Sequence, residues 1–138
     1  MSEPHYVIDP IGSVESPLAE LDAAPPQGDE GAPDAWLVFD PAMRDGLRNL
    51  EPGNEIIVLT WLDRASRDVL AVHPRGDMSR PLQGVFSTRS PHRPNPVGLH
   101  RVTVVAVEDV RIRVSNLEAI DGTPIVDVKP VLGGPDER

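Results

Sequence analysis

Short apolar runs separated by proline and glycine set the pattern of this chain. Residues 35–39 and 56–62 are nearly continuous apolar runs, too short for core helices, and they predict buried strands. Residues 98–108 and 110–116 flank Glu108-Asp109, which is typical of a tight hairpin turn. Four more short strands are predicted, at residues 5–14, 69–72, 85–87 and 125–128. The pattern therefore favours a fold built mainly of strands.

One short helix interrupts the predicted strands. Asp40-Pro41 is typical of an N-cap followed by proline at the first helical position, so we expect a helix over residues 42–50. Residues 16–33 predict a long acidic loop, and residues 133–138 a frayed tail. The chain has 138 residues with sixteen prolines and eleven glycines, too many for a helical bundle. We therefore expect one all-β domain spanning residues 1–138.

Composition excludes several kinds of site. The chain has no cysteine, which excludes disulfide frameworks, thiolate zinc sites and thiol catalysis. No pair of histidines has metal-ligand spacing, so we expect no metal. No apolar run approaches the roughly 20 residues that span a bilayer, and the N-terminus lacks the basic and apolar regions of a secretory signal. We therefore expect a cytoplasmic protein that does not associate with a membrane.

Charge is distributed unevenly along the chain. The net charge is −9, yet nine acidic residues precede Arg44, the first basic residue. Residues 64–101 carry seven arginines against two acids, a local balance of +5. An acidic chain argues against tight nonspecific binding of polynucleotide, whereas this basic stretch is a candidate anion site. Twelve arginines to one lysine would also follow from GC-rich coding, which explains the ratio but not the clustering.

The most unusual segment spans residues 84–99 and reads G-V-F-S-T-R-S-P-H-R-P-N-P-V-G-L. Its three prolines preclude a regular strand or helix. The guanidinium groups of Arg89 and Arg93 are suited to holding a carboxylate or phosphate bidentately. Taken alone, the segment could equally be a rigid connector whose arginines face water. Its length and particularity favour a functional loop.

This segment closely resembles the signature of the TsaA-like family, also called TrmO, which runs roughly G-V-F-A-T-R-S-P-x-R-P-N-P-I-G. Residues 121–130 resemble the family's second signature, D-G-T-P-V-x-D-I-K-P, and residues 8–17 resemble its opening strand. The resemblance implies a compact single-domain β-barrel that acts as an S-adenosylmethionine-dependent methyltransferase. It further implies a homodimer that methylates N6 of threonylcarbamoyladenosine in the tRNA anticodon loop.

The resemblance also implies a cofactor site. The family often has Pro-Arg-Gln at residues 25–27 and His-Gln at Asp63-Arg64, so this chain departs from it at Pro26 and Asp63. The implied cofactor-binding residues are Pro25, Pro26, Gln27, Asp63, Arg64, Arg89, Ser90, Leu99, Asp121, Gly122, Thr123 and Pro124. Asp121-Gly122 is also a common turn dipeptide, so Asp121 has a structural alternative.

Candidate catalytic residues lie in the first signature. We assign these roles to His92, Arg93 and Asn95, with His92 the best candidate for a substrate contact or general base. His100 follows on a predicted strand and could serve function or structure. The leading function is tRNA methylation. Two alternatives stay open: a methyltransferase of the same fold that acts on a small molecule, and a module that binds S-adenosylmethionine without catalysis.

Overall fold

A closed six-stranded antiparallel barrel carries the fold. The computed structural model describes residues 4–18 and 33–133. The barrel strands are β1 (Gly12–Glu15), β2 (Ala35–Phe39), β3 (Glu55–Trp61), β6 (Val97–Glu108), β7 (Arg111–Ser115) and β8 (Pro124–Pro130), and a separate two-stranded sheet pairs β4 (Ala71–Val72) with β5 (Gln83–Gly84). The ring runs β1-β2-β7-β6-β3-β8. The expectation of a β-barrel is confirmed.

Alternating side chains fill the barrel interior. Leu37 and Phe39 on β2, Val58 on β3 and Ile112 on β7 are buried, because every second residue of a strand faces the same side. Two polar residues share this interior with them. Thr60 on β3 and His100 on β6 are 0% and 4% exposed.

Three sequence predictions of local structure differ from the structure in extent or in type. Residues 5–11 lie outside the sheet, and only Gly12–Glu15 forms the strand, because Pro10 offers no N–H to a ladder. Val85–Ser87 is a single 3-10 turn rather than a strand, with Val85 buried and Phe86 exposed. The expected short helix is present, but it is the 3-10 helix Pro41–Leu47, it has no fully buried residue, and Asp40 makes no side-chain cap bond there.

Other predicted elements are confirmed with shifted ends. β2 has the predicted bounds, β3 begins and ends one residue earlier than predicted, and 69–72 shortens to Ala71–Val72. The β6–β7 hairpin closes with Glu108 paired to Arg111, so its turn residues are Asp109 and Val110. Asp109 adopts φ 54°, a left-handed conformation that aspartate tolerates better than most residues.

A long excursion outside the barrel positions the candidate site. The chain leaves β3 at residue 62 and returns at Val97, and between these points it forms β4, β5 and the 3-10 turns Pro74–Gly76 and Val85–Ser87. Most of the 84–99 segment therefore lies on this excursion. In the described ranges, no helix has the length and apolar character that crossing a membrane requires.

Candidate functional site

An open cleft of about 1760 Å³ lies between the excursion, strands β3 and β6, and residues 116–123. Its charged lining is strongly basic. The lining arginines and acids are Arg64, Arg75, Arg80, Arg89, Arg93 and Arg101 with Glu55, Asp63 and Glu118. Glu55 is already paired with Arg101 at 2.8 Å. The arginine cluster seen in the sequence therefore converges on one concave surface.

Most sequence-predicted site residues meet in this cleft. Those that line it are Asp63, Arg64, Arg89, Ser90, His92, Arg93, Asn95, Leu99 and Thr123. Asp121, Gly122 and Pro124 are absent from the lining. Pro25, Pro26 and Gln27 fall outside the described residues. The first signature thus forms the cleft wall, and the second contributes Thr123.

Arg93 holds the signature loop from inside. Its Nη1 donates to the carbonyl oxygens of Thr88 at 3.1 Å and Ser90 at 3.0 Å, and its Nη2 donates to that of Val85 at 2.9 Å. A planar guanidinium bonded to three carbonyls fixes the path of a loop that has no strand or helix partners. These contacts give Arg93 a scaffolding role, and the catalytic role assigned to it stays a prediction.

Arg67 holds the same loop from outside. Its Nε donates to the Pro94 carbonyl at 2.7 Å, and its Nη2 donates to Asn95 Oδ1 at 2.9 Å. The guanidinium also lies 5.2 Å from the Trp61 ring centre, a cation–π distance. Asn95 therefore presents its amide oxygen to Arg67 rather than to the cleft. Sequence reasoning counted Arg67 among the basic stretch and missed this contact.

His92 uses one ring nitrogen within the protein. Its Nδ1 accepts the backbone N–H of Ser66 at 2.9 Å, so the neutral ring carries its hydrogen on Nε2. Nε2 is then a donor toward the cleft. The geometry suits His92 to donating a hydrogen bond to a ligand, and a base would have to give up the Ser66 contact first.

Arg89 differs from its neighbours. It is exposed on the cleft wall and makes no hydrogen bond or ion pair within the described ranges. The adjacent Ser90 turns the chain, because its N–H is bonded to Thr88 Oγ1 and its Oγ accepts from the His92 N–H. The loop is therefore fixed by its own contacts, and it presents one cation to an incoming anion.

The turn at the start of the second signature is hydrogen-bonded to β1 and to the residue that follows it. Asp121 Oδ1 accepts the Ser16 N–H at 3.0 Å, and the Gly122 N–H donates to the Val14 carbonyl at 2.7 Å. Gly122 has φ 83°, which a side chain would strain. Thr123 is 1% exposed and donates its hydroxyl to the Ile120 carbonyl. These contacts support the turn reading of Asp121, and its assignment to the cofactor stays a prediction.

A polar chain runs from the barrel interior to the cleft. Thr60 Oγ1 lies 2.7 Å from His100 Nε2, and His100 Nδ1 lies 2.5 Å from Glu118 Oε1. Glu118 lines the cleft with its side chain 16% exposed. Sequence reasoning missed Glu118, which stands between two apolar residues with no motif around it. Across the described residues, no group of three or more potential ligands could hold a metal.

Comparison with known proteins identifies the family. The model of the tRNA-methyltransferase O N-terminal domain family matches residues 13–137. The chain belongs to this family. An S-adenosyl-L-methionine-binding protein of Archaeoglobus fulgidus is 45% identical over 124 residues, which is 89% of this chain and 87% of that protein. A second Archaeoglobus fulgidus protein, described as a probable S-adenosyl-L-methionine-binding protein, is 42% identical over 87% of this chain.

Solved structures of TrmO share the fold. One from Pseudomonas aeruginosa has a TM-score of 0.74 and 28% identity over 95% of this chain. A second TrmO crystal structure has a TM-score of 0.74 and 29% identity over 98% of this chain. The chain spans 56% and 63% of these two proteins and 32% of the second Archaeoglobus relative. The expected membership in the TrmO family is confirmed.

Proposed function

We propose that this chain binds S-adenosylmethionine in the basic cleft and uses it as a methyltransferase. The observation that carries the proposal is Arg89, an exposed cation without a partner in the described residues, on a loop that Arg93 holds through three backbone carbonyls. Membership in the tRNA-methyltransferase O N-terminal domain family supports it. So do the printed names of relatives that bind the cofactor.

The residues of the cleft fit the parts of that cofactor. Arg89 suits the methionyl carboxylate, which accepts two parallel N–H bonds from a guanidinium. Asp63, exposed on the same lining, suits the ammonium or the ribose hydroxyls, and Leu99 offers an apolar contact to adenine. When bound, the cofactor supplies an electrophilic methyl group on a sulfonium, so the protein's task is to position and orient the reactants.

The proposed methyl acceptor is threonylcarbamoyladenosine in the tRNA anticodon loop, modified at N6. Six arginines line the cleft, whereas nine acidic residues lie before Arg44 in the sequence. A phosphate backbone would therefore favour the cleft side, with an affinity that falls as salt rises. The net charge of −9 makes this local basic surface a requirement of the proposal.

The same proposal includes a homodimer. Met78, Leu82 and Phe86 line the cleft and are 74%, 61% and 79% exposed, an unusual apolar grouping on a small protein. Pairing with a second copy would cover these side chains across a symmetric interface. Light scattering at micromolar concentration with cofactor present should give a dimer mass, and Leu82→Glu should shift it toward the monomer. A monomeric wild-type mass would contradict the dimer.

The deciding experiment incubates the purified chain with S-adenosylmethionine and tRNA that carries threonylcarbamoyladenosine. Mass spectrometry of the nucleosides should then detect the N6-methylated product. Cofactor binding in calorimetry without any tRNA product would instead favour a small-molecule acceptor, and a metabolite extract with labelled cofactor would test it. Binding without transfer to either acceptor would leave a cofactor-binding module. No cofactor binding would contradict the whole proposal.

A further inference from the structure

The polar chain from Thr60 to Glu118 is built into the barrel with little freedom. A Cβ on Gly98 would clash with Thr60 Oγ1 and would lie 2.7 Å from His100 Nε2, so glycine is needed for this pair to meet. His100 is 4% exposed and both of its ring nitrogens are occupied. The side chain is therefore locked against rotation.

The direction of the hydrogen bonds follows from the groups themselves. An ionised carboxylate only accepts, so His100 Nδ1 carries a hydrogen and donates it to Glu118 Oε1. In the neutral ring, Nε2 then accepts the hydroxyl hydrogen of Thr60. Thr60 is 0% exposed, which excludes it as a nucleophile toward any ligand in the cleft. In the hydrogen-bonded series Thr60–His100–Glu118, the residue that faces the cleft is Glu118.

Glu118 has acceptor capacity to spare. His100 occupies Oε1, whereas Oε2 makes no hydrogen bond to any part of the chain that the structure describes. The other two lining carboxylates differ from it. Glu55 is paired with Arg101, and Asp63 is exposed and has no side-chain hydrogen bond to the described residues. His92 is the remaining candidate for a base, but its acceptor nitrogen Nδ1 is already hydrogen-bonded to the Ser66 N–H.

The proposed methyl acceptor needs such a group. N6 of threonylcarbamoyladenosine lies between an adenine ring and a carbonyl, so its lone pair is delocalised and it is a weak nucleophile. As this nitrogen forms its bond to the methyl carbon, the carbon–sulfur bond breaks and its electron pair stays on sulfur. The N6 hydrogen is then left over as a proton. A positioned base contributes roughly 100- to 10,000-fold to a step of this kind.

We propose that Glu118 Oε2 accepts the proton of the methyl-accepting N–H group, with His100 and Thr60 as positioning residues that orient the carboxylate. The inference rests on the proposed methyltransferase function. The proton leaves Glu118 to solvent through the 16% of the side chain that is exposed. The carboxylate of Glu118 also offsets part of the positive charge of the arginines that line the cleft. It therefore supplies a proton acceptor for the neutral N–H group in a cleft that is otherwise positively charged.

Glu118→Gln tests the proposal, because glutamine retains the size and the acceptor for His100 but cannot take up a proton. We expect kcat with tRNA carrying threonylcarbamoyladenosine to fall by about 100-fold or more. KM and the calorimetric Kd for S-adenosylmethionine should change by less than about threefold. Glu108→Gln, the same change at an exposed position outside the cleft, should leave kcat at the wild-type value. An unchanged kcat in Glu118→Gln would overturn the proposal.

A second measurement needs no turnover. Nitrogen-15 NMR of His100 in the cofactor-free protein should show a hydrogen on Nδ1, and a bare Nδ1 would overturn the proposal because Glu118 would then be the donor. Thr60→Val should lower kcat by a smaller factor than Glu118→Gln. A wild-type chain that binds cofactor but methylates no tRNA would overturn the proposed tRNA acceptor, and this inference, which is argued from that acceptor, with it. Normal wild-type transfer with a fully active Glu118→Gln would overturn this inference alone.

Discussion

Arginines on two sides of the barrel have different partners. On the β2–β7 side each arginine meets an acid: Arg44 lies 2.8 Å from Asp109, and Arg113 lies 3.2 Å from Asp34. In the signature loop, residues 84–99, Arg93 donates hydrogen bonds to three backbone carbonyls. Arg89 makes no hydrogen bond or ion pair to the described residues. The β2–β7 pairs neutralise one another at the surface. The loop instead uses one arginine as scaffold and leaves the other for a ligand.

A cluster of arginines in the sequence does not by itself mark a ligand-binding site. All of these residues look alike in the sequence, and exposed ion pairs contribute little to stability. Arg89 differs from the other arginines because the loop positions it while its guanidinium N–H groups make no hydrogen bond to the described residues. The consequences of replacing each arginine therefore separate into three kinds: loss of the loop, loss of the ligand, and loss of a surface pair.

The largest effect is expected for Arg93→Ala. Three carbonyl oxygens, one of them on the fully buried Val85, lose their donor. Each hydrogen bond to a charged group contributes about 1.5–3 kcal/mol. We expect a fall in melting temperature of roughly 10 °C or more and loss of detectable cofactor binding. An unchanged melting curve would remove the scaffold role from Arg93.

Arg89→Ala should affect the ligand alone. Loss of one charged hydrogen-bonding group should weaken S-adenosylmethionine binding by about 1.5–3 kcal/mol, or roughly 10- to 150-fold. The melting temperature should stay at the wild-type value, because Arg89 makes no described contact within the chain. Arg113→Ala, taken from the β2–β7 side, is the control and should bind cofactor as wild type does. Equal affinity in both variants would remove Arg89 from the site.

The double variant Arg75→Ala/Arg80→Ala tests the wider cleft. Both residues line it on the polar loop outside the two signatures. We expect weaker tRNA binding, with the slope of log affinity against log salt reduced by up to about one unit per arginine, and intact cofactor binding. The control is Arg44→Ala/Arg113→Ala, which removes the same charge from the β2–β7 side. If the two double variants bind tRNA equally, the cleft is not the tRNA surface.

The smallest effect concerns the Arg44–Asp109 pair. The Arg44 guanidinium lowers the pKa of Asp109 through its hydrogen bonds and charge. A carboxyl with a lower pKa in the folded state contributes stability above its unfolded pKa, near 4, and loses it as pH falls through the folded value. Asp109→Asn should therefore melt slightly below wild type at pH 7, and this difference should shrink as the pH falls below about 4 and vanish once the folded-state carboxyl is protonated. A difference that is constant with pH would contradict the pairing.

The elements set by alternation and turn residues could be predicted from the sequence. β2, β3 and the β6–β7 hairpin follow directly from apolar runs and from Asp109. The strand expected at residues 5–14 forms only from Gly12 onward, because Pro10 cannot donate to a ladder. Similarly, Val85–Ser87 is apolar at both Val85 and Phe86, yet only Val85 is buried.

The sequence predicts which segment forms the candidate site, but not the role of each residue within it. The signature places Arg89, His92 and Arg93 on one cleft wall, as expected. Which of them are bonded internally depends on backbone groups: Arg93 donates to three carbonyls, and His92 accepts the N–H of Ser66, 26 residues before it. No local pattern carries that information. Glu118 became visible only through His100, since their contact joins β6 to the segment after β7. A glycine within the alternating run of β6, at Gly98, was the one signal available.

A crystal structure grown with S-adenosylhomocysteine would show where the cofactor binds. We expect density in the cleft between the excursion and β6, with the ligand carboxylate within hydrogen-bond distance of the Arg89 guanidinium. Occupation of the other described pocket, which lies under the Pro41–Leu47 helix and is lined by Phe39 and Asp127, would contradict it. Density in the cleft with Arg89 pointing away from the carboxylate would contradict the role given to that residue.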